Sequence, residues 1–139
     1  MNKKKILLID DHPEDNDNFI NALRNGGYDV DVTAYISTAR MKLKAYSNKY
    51  ILIVIDVMMP TLGIDFNGIN TEDGLKTGLA YYEAELITKD IPVLFWSWNE
   101  DFKDDVKEKG WDKTDFLLKD TDDDHLLNGV DVFCRKFNL

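Results

Sequence analysis

The strongest constraint on this chain is an alternation: five short apolar runs, each followed by a segment whose apolar residues recur at helical spacing. The runs are Lys5 to Ile9, Tyr28 to Thr33, Ile51 to Ile55, Pro92 to Trp96 and Phe116 to Leu118. Strands that alternate with helices form βα units, and successive units pair their strands in parallel. The first and third runs are apolar throughout, as strands covered on both faces must be, so they belong at the centre of the sheet. The expected fold class is α/β, a doubly wound (βα)5 arrangement around a five-stranded parallel sheet.

The helical segments carry their own punctuation. Pro13 stands where a first helical turn tolerates it, Phe19, Ile20 and Leu23 form a stripe, and Gly26-Gly27 ends the helix. Ile36, Ala39 and Leu43 mark a second helix. Leu75, Leu79, Tyr82 and Leu86 mark a third, and Leu126, Val130, Phe133, Cys134 and Phe137 the last. Between Asn99 and Gly110 only Phe102 and Val106 are placed to face inward, which predicts a weakly held, mobile helix. The stretch from Thr61 to Asp73, with Gly63 and Gly68, exceeds the roughly 4 to 6 residues of a routine connection.

At 139 residues the chain fits one domain, taken as 1–139, and leaves no room for a separate output domain. The formal net charge of -9 repels phosphate backbones and anionic membranes, so neither nucleic acid nor a membrane is an expected partner. Lys3, Lys4 and Lys5 before an apolar run suggest a signal peptide only until Asp10 and Asp11 cut that run short, and no segment is long enough to span a bilayer. Cys134 is the only cysteine, which excludes an internal disulfide and a cysteine zinc cluster and suits a cytoplasmic location. Its spacing from Phe133 and Phe137 reads as a buried core thiol.

Right-handed crossovers bring all the strand C-terminal ends to one edge of the sheet, where ligands of open α/β folds bind. Asp10 and Asp11 follow the first strand, Asp56 the third, Ser97 the fourth and Lys119 the fifth. Singly, each is an ordinary loop residue. Together, three carboxylates from two strands repel one another unless a cation intervenes, and hard oxygen ligands of this kind suit Mg²⁺. Mg²⁺ sites usually take one or two carboxylates plus substrate phosphate, which points to phosphoryl chemistry. Lys119 can balance phosphoryl oxygens, the Ser97 hydroxyl can donate to one of them, and Asp56 is the candidate carboxylate nucleophile.

The stretches KKKILLIDDHPED and YILIVIDVMMP, the Asp73-Gly74 pair, and the IPVLFWSW and DFLLK runs together resemble bacterial receiver domains of two-component signalling, over essentially the whole chain. The resemblance implies a chemotaxis-type, flavodoxin-like sheet of order 2-1-3-4-5. It further implies that Asp56 accepts a phosphoryl group from a sensor histidine kinase or a histidine phosphotransfer protein. Asp10, Asp11, Asp56 and the backbone carbonyl of Met58 would hold Mg²⁺. Ser97 would shift towards the phosphoryl group, Phe116 would turn inward behind it, and Lys119 would pair with Asp56 or the phosphate. The output would be a changed protein-binding surface, read by a downstream protein or by homodimerisation on phosphorylation.

Three departures from that family pattern stand out. Pro60 and Gly74 are 14 positions apart, an insertion over about 61–73 that reads either as a lid or partner-binding element or as a tolerated excursion. Trp98 occupies a position where a small residue is usual; it either gates access to the acyl phosphate or packs against the insertion. Lys119 is followed by Asp120 where proline is usual, so a trans peptide is expected. The acids Asp120, Asp122, Asp123 and Asp124 read as caps on the last helix. His12 and His125 lack partners at ligand spacing and are not claimed as sites.

Three other functions fit parts of the pattern. A Mg²⁺-dependent aspartyl phosphatase would need a D-x-D arrangement after the first strand, whereas here the acids are adjacent. A phosphorylation-independent interaction module has no need of Asp10, Asp11, Asp56, Ser97 and Lys119. A flavodoxin-type phosphate loop is opposed by Asp10, Asp11, Glu14 and Asp15, which repel an uncompensated phosphate.

Overall fold

In the computed structural model, which describes residues 3–139, the apolar runs form five parallel strands in the order β2-β1-β3-β4-β5. They are β1 Lys4–Ile9, β2 Tyr28–Thr33, β3 Tyr50–Asp56, β4 Val93–Ser97 and β5 Thr114–Leu118. The two apolar runs lie inside the sheet as expected, with β3 at its centre. Alternation of side chains along each strand gives the sheet two apolar faces. Leu7, Ile9, Ile53, Ile55, Val93 and Phe95 fill one core, while Ile6, Leu8, Leu52, Val54, Leu94 and Trp96 fill the other.

The helices are α1 Asp17–Asn25, α2 Ile36–Tyr46, α3 Thr77–Ala84, α4 Asp101–Lys109 and α5 His125–Phe137, with short 3-10 turns at Pro13–Asn16, Ser47–Lys49 and Leu86–Lys89. Helices α1 and α5 supply Phe19, Ile20, Leu23, Leu126, Val130 and Phe133 to one core, and α2, α3 and α4 supply the other. Gly27 ends the first helix with φ at 101°, a left-handed backbone that glycine adopts freely. Helix α4 buries only Phe102 and Val106, the two residues its charge pattern singled out.

The third helix starts later than its stripe suggests. Leu75 is exposed and lies outside it, because the chain is still turning: the N–H of Leu75 donates to Glu72 and that of Lys76 to Thr71. Strand β5 starts earlier than its apolar residues, at Thr114, and the intervening Asp115 is matched by Lys136 at 3.0 Å. The acids before α5 do not cap it through their side chains. Asp120 and Asp122 instead accept the backbone N–H two residues on, forming Asx turns.

The insertion is a closed loop. The N–H of Met59 donates to the carbonyl of Gly74, and the Thr77 hydroxyl donates to the carbonyl of Met59, so both ends are tied to the start of α3. Phe66 plugs it into the core at 1% exposure, its ring 6.0 Å from that of Tyr81, with Ile64 and Ile69 packed beside it.

Candidate functional site

Strand register brings the predicted residues together. Ile9 pairs with Ile55 and Asp56 with Trp96, so Asp10 follows its strand at the level where Asp56 ends its own. The ladder runs on past the strands: Asp10 N–H donates to Thr33, Val57 N–H to Trp96 and Lys119 N–H to Ser97. Each strand tip is therefore held by its neighbour. Asp10, Asp56, Ser97 and Lys119 are all buried, at 1%, 7%, 1% and 8% exposure, which is rare for charged side chains without partners.

The three charged groups among them partner one another. The Lys119 ammonium donates to Asp56 Oδ2 at 3.0 Å and to Asp10 Oδ2 at 3.3 Å. Asp10 also accepts from the His12 N–H at 2.8 Å and from the Asn16 side chain at 2.9 Å. Asp56 Oδ1 accepts from the N–H of Met58 at 3.0 Å. The Ser97 hydroxyl oxygen accepts the N–H of Asn99 at 3.1 Å.

Three carboxylates share this pocket with one ammonium. Burial pushes Asp56 up to about 6 against the pull of Lys119, and the negative Asp10 adds to the rise. Asp11 is raised as well, again chiefly by burial, with His12 opposing it. Oxygen atoms of Asp10, Asp11 and Asp56 lie within 4.8 Å of one another. This donor set of clustered, partly uncompensated hard oxygens fits a small divalent cation. His12, Glu14 and Asp15 form a second such group, fully on the surface.

The remaining predicted residues surround this centre. Phe116 is half-buried against the core on the α3 and α4 face. Trp98 directly follows Ser97 and is 59% exposed. Met58, two residues beyond Asp56, is exposed. A cleft of about 280 Å³ opens beside Asp11, walled by Tyr35, Ile36, Met59 and, from the insertion, Leu62 and Ile64. Among the described residues no peptide bond is cis, the Lys119–Asp120 bond included.

Two contributors escaped the sequence. Asn16 is buried against Asp10, six positions on, through a 3-10 turn whose geometry no spacing rule gives. Gly78 lets α3 press onto β3: a Cβ there would sit 2.5 Å from the carbonyl oxygen of Asp56. Cys134 is buried as expected, its thiol raised by burial and lying 3.8 Å from the Tyr28 hydroxyl. No helix among the described residues is long and apolar enough to cross a membrane.

Solved structures of the same fold include the chemotaxis protein CheY4 of Vibrio cholerae, 18% identical over 95% of this chain and 99% of that one, with a TM-score of 0.69. The receiver domain of the hybrid histidine kinase CckA is 22% identical, covering 93% and 97%, with a TM-score of 0.64. The response regulator TrrA of Thermotoga maritima, solved in complex with Mg²⁺ and BeF, is 22% identical, covering 94% and 98%, with a TM-score of 0.65. No curated protein sequence matches the chain. Residues 6–131 match the family described as the response regulator receiver domain, and this chain belongs to that family.

Proposed function

We propose that this chain is a phosphoacceptor, taking a phosphoryl group on Asp56 from a histidine of a sensor kinase or histidine phosphotransfer protein. The observation that carries this reading is the Asp56 carboxylate held 3.0 Å from the Lys119 ammonium, among oxygens of Asp10 and Asp11. A carboxylate oxygen of Asp56 forms the new bond to phosphorus while the nitrogen–phosphorus bond of the donor breaks. The electron pair leaves on the imidazole, which takes up a proton.

Asp10, Asp11, Asp56 and the Met58 backbone carbonyl would hold Mg²⁺, which supplies charge neutralisation and orientation of the phosphoryl oxygens. Lys119 then exchanges its bond to Asp56 for one to a phosphoryl oxygen. Ser97 keeps its own O–H free to donate to another, since its oxygen is the acceptor for Asn99. Movement of Ser97 opens space into which the half-buried Phe116 turns, converting a local charge change into a new surface for a downstream protein. Trp98 screens the acyl phosphate from water, and the insertion at 61–73 forms one wall of the approach beside Asp11.

Incubation with a phosphorylated histidine kinase domain and Mg²⁺ tests the proposal. The chain gains one phosphoryl group and then stops. Many rounds of small phosphate-ester hydrolysis would point instead to an aspartyl phosphatase, and no transfer from any donor to an interaction module that works without phosphorylation.

A further inference from the structure

The Lys119 ammonium has three N–H donors and two carboxylate partners. Its third side is covered by an aromatic face: the nitrogen lies 4.4 Å from the ring centroid of Trp96. Trp96 is 1% exposed, and Phe19 of α1 packs its ring edge-on at 5.7 Å and 88°, which fixes the indole plane. A buried ammonium must be satisfied on every side, and the π face of tryptophan is the best aromatic surface for a cation.

The indole itself carries a cost at this position. Among the described residues, its Nε1–H is the buried side-chain polar atom that finds no hydrogen-bond partner. An orphaned donor in a core disfavours tryptophan, so what the position gains must come from the ring's face and volume rather than its N–H. Trp96 also sits opposite Asp56 in the β3–β4 register, so one strand pair carries both the phosphoacceptor and the surface behind its lysine.

We propose that Trp96 is a positioning residue for Lys119, its indole face holding the ammonium against Asp56 and Asp10. The inference rests on the phosphoacceptor reading above. Losing the face lets the ammonium drift from the point where phosphoryl oxygens arrive, while the charge itself is kept.

The test compares two variants of similar volume, Trp96→Phe, which keeps a π face, and Trp96→Met, which does not. Both are treated with Mg²⁺ and acetyl phosphate after circular dichroism confirms folding. Trp96→Phe stays near the parent rate, while Trp96→Met is slower by roughly fivefold to thirtyfold, the factor equivalent to a desolvated cation–π contact. In a Lys119→Ala background the same Trp96→Met change has no further effect. Equal rates for the two variants, or an undiminished effect without Lys119, would overturn the proposal.

The folded parent gives an independent readout by NMR, which serves even if the variants fail to fold. The Lys119 ε-methylene protons are shifted upfield by the indole ring current; resonances at ordinary lysine positions would overturn the proposal. A parent that takes no phosphoryl group at all refutes the phosphoacceptor reading, while the lysine resonances still decide the contact.

Discussion

The buried Lys119 ammonium donates to the buried Asp56 carboxylate at 3.0 Å. That ammonium opposes the rise, yet burial and Asp10 still leave the Asp56 carboxyl raised to about 6. The ionised Asp56 carboxylate is therefore a source of local destabilisation in the metal-free protein.

That cost has a definite pH dependence in metal-free protein. A carboxyl whose folded value lies above its unfolded value of 3.8 contributes stability that is fully present below about pH 4 and is lost as pH rises through about 6. Asp56→Asn, which mimics the protonated form, is more stable than the parent by about 1 to 3 kcal/mol at pH 8 and equal to it near pH 4. Urea unfolding of both proteins in chelator across that range checks it; a constant difference at all pH values contradicts it.

Divalent metal should reverse the penalty. At about one hundred times its dissociation constant Mg²⁺ stabilises the folded chain by about 2.7 kcal/mol. Asp11→Asn loses most of that gain, because Asp11 contributes to the oxygen cluster without pairing to Lys119. Thermal melts with and without Mg²⁺ measure the difference, and an equal metal response in parent and variant would remove Asp11 from the site.

The insertion is anchored at one aromatic residue. Phe66→Ala removes a ring at 1% exposure and costs about 3 to 5 kcal/mol, whereas Leu62→Ala, at 66% exposure, costs less than about 0.5 kcal/mol. Denaturant midpoints of the two variants separate the anchor from the rim. Similar losses would mean that Phe66 is no plug.

Gly78 sets the distance between α3 and β3, the strand that carries Asp56. Adding a Cβ 2.5 Å from the Asp56 carbonyl oxygen and 2.9 Å from Val57 Cα forces the helix outward, at a cost of about 1 to 3 kcal/mol. Gly78→Ala should also slow phosphorylation by displacing the Asp56 backbone. An unchanged rate in a stable Gly78→Ala protein would show that the close approach matters only for packing.

Trp98 is exposed beside Ser97, and Trp98→Ala is expected to lose its phosphoryl group faster than the parent. Dephosphorylation followed after donor removal measures this, and identical decay would rule out a screening role.

Much of this was legible in the chain because strands covered on both faces must be apolar throughout, and parallel crossovers must send their ends to one edge. Asp10, Asp11, Asp56, Ser97 and Lys119 could thus be gathered from sequence alone. Phe66 could not: within a loop nothing marks one aromatic residue as the plug until Tyr81 is seen beside it. Leu75 kept a helical spacing from Leu79, but Gly74 at φ 93° delays the helix to Thr77. Trp96 reads as one more apolar strand residue, and only the fold puts its face behind Lys119.

Mapping the site of phosphorylation by mass spectrometry tests the central claim most directly. After treatment with Mg²⁺ and acetyl phosphate, the account predicts a single added phosphoryl group on the peptide containing Asp56, absent from Asp56→Asn and from samples treated with chelator. Label on any other residue, or equal labelling of Asp56→Asn, would contradict it.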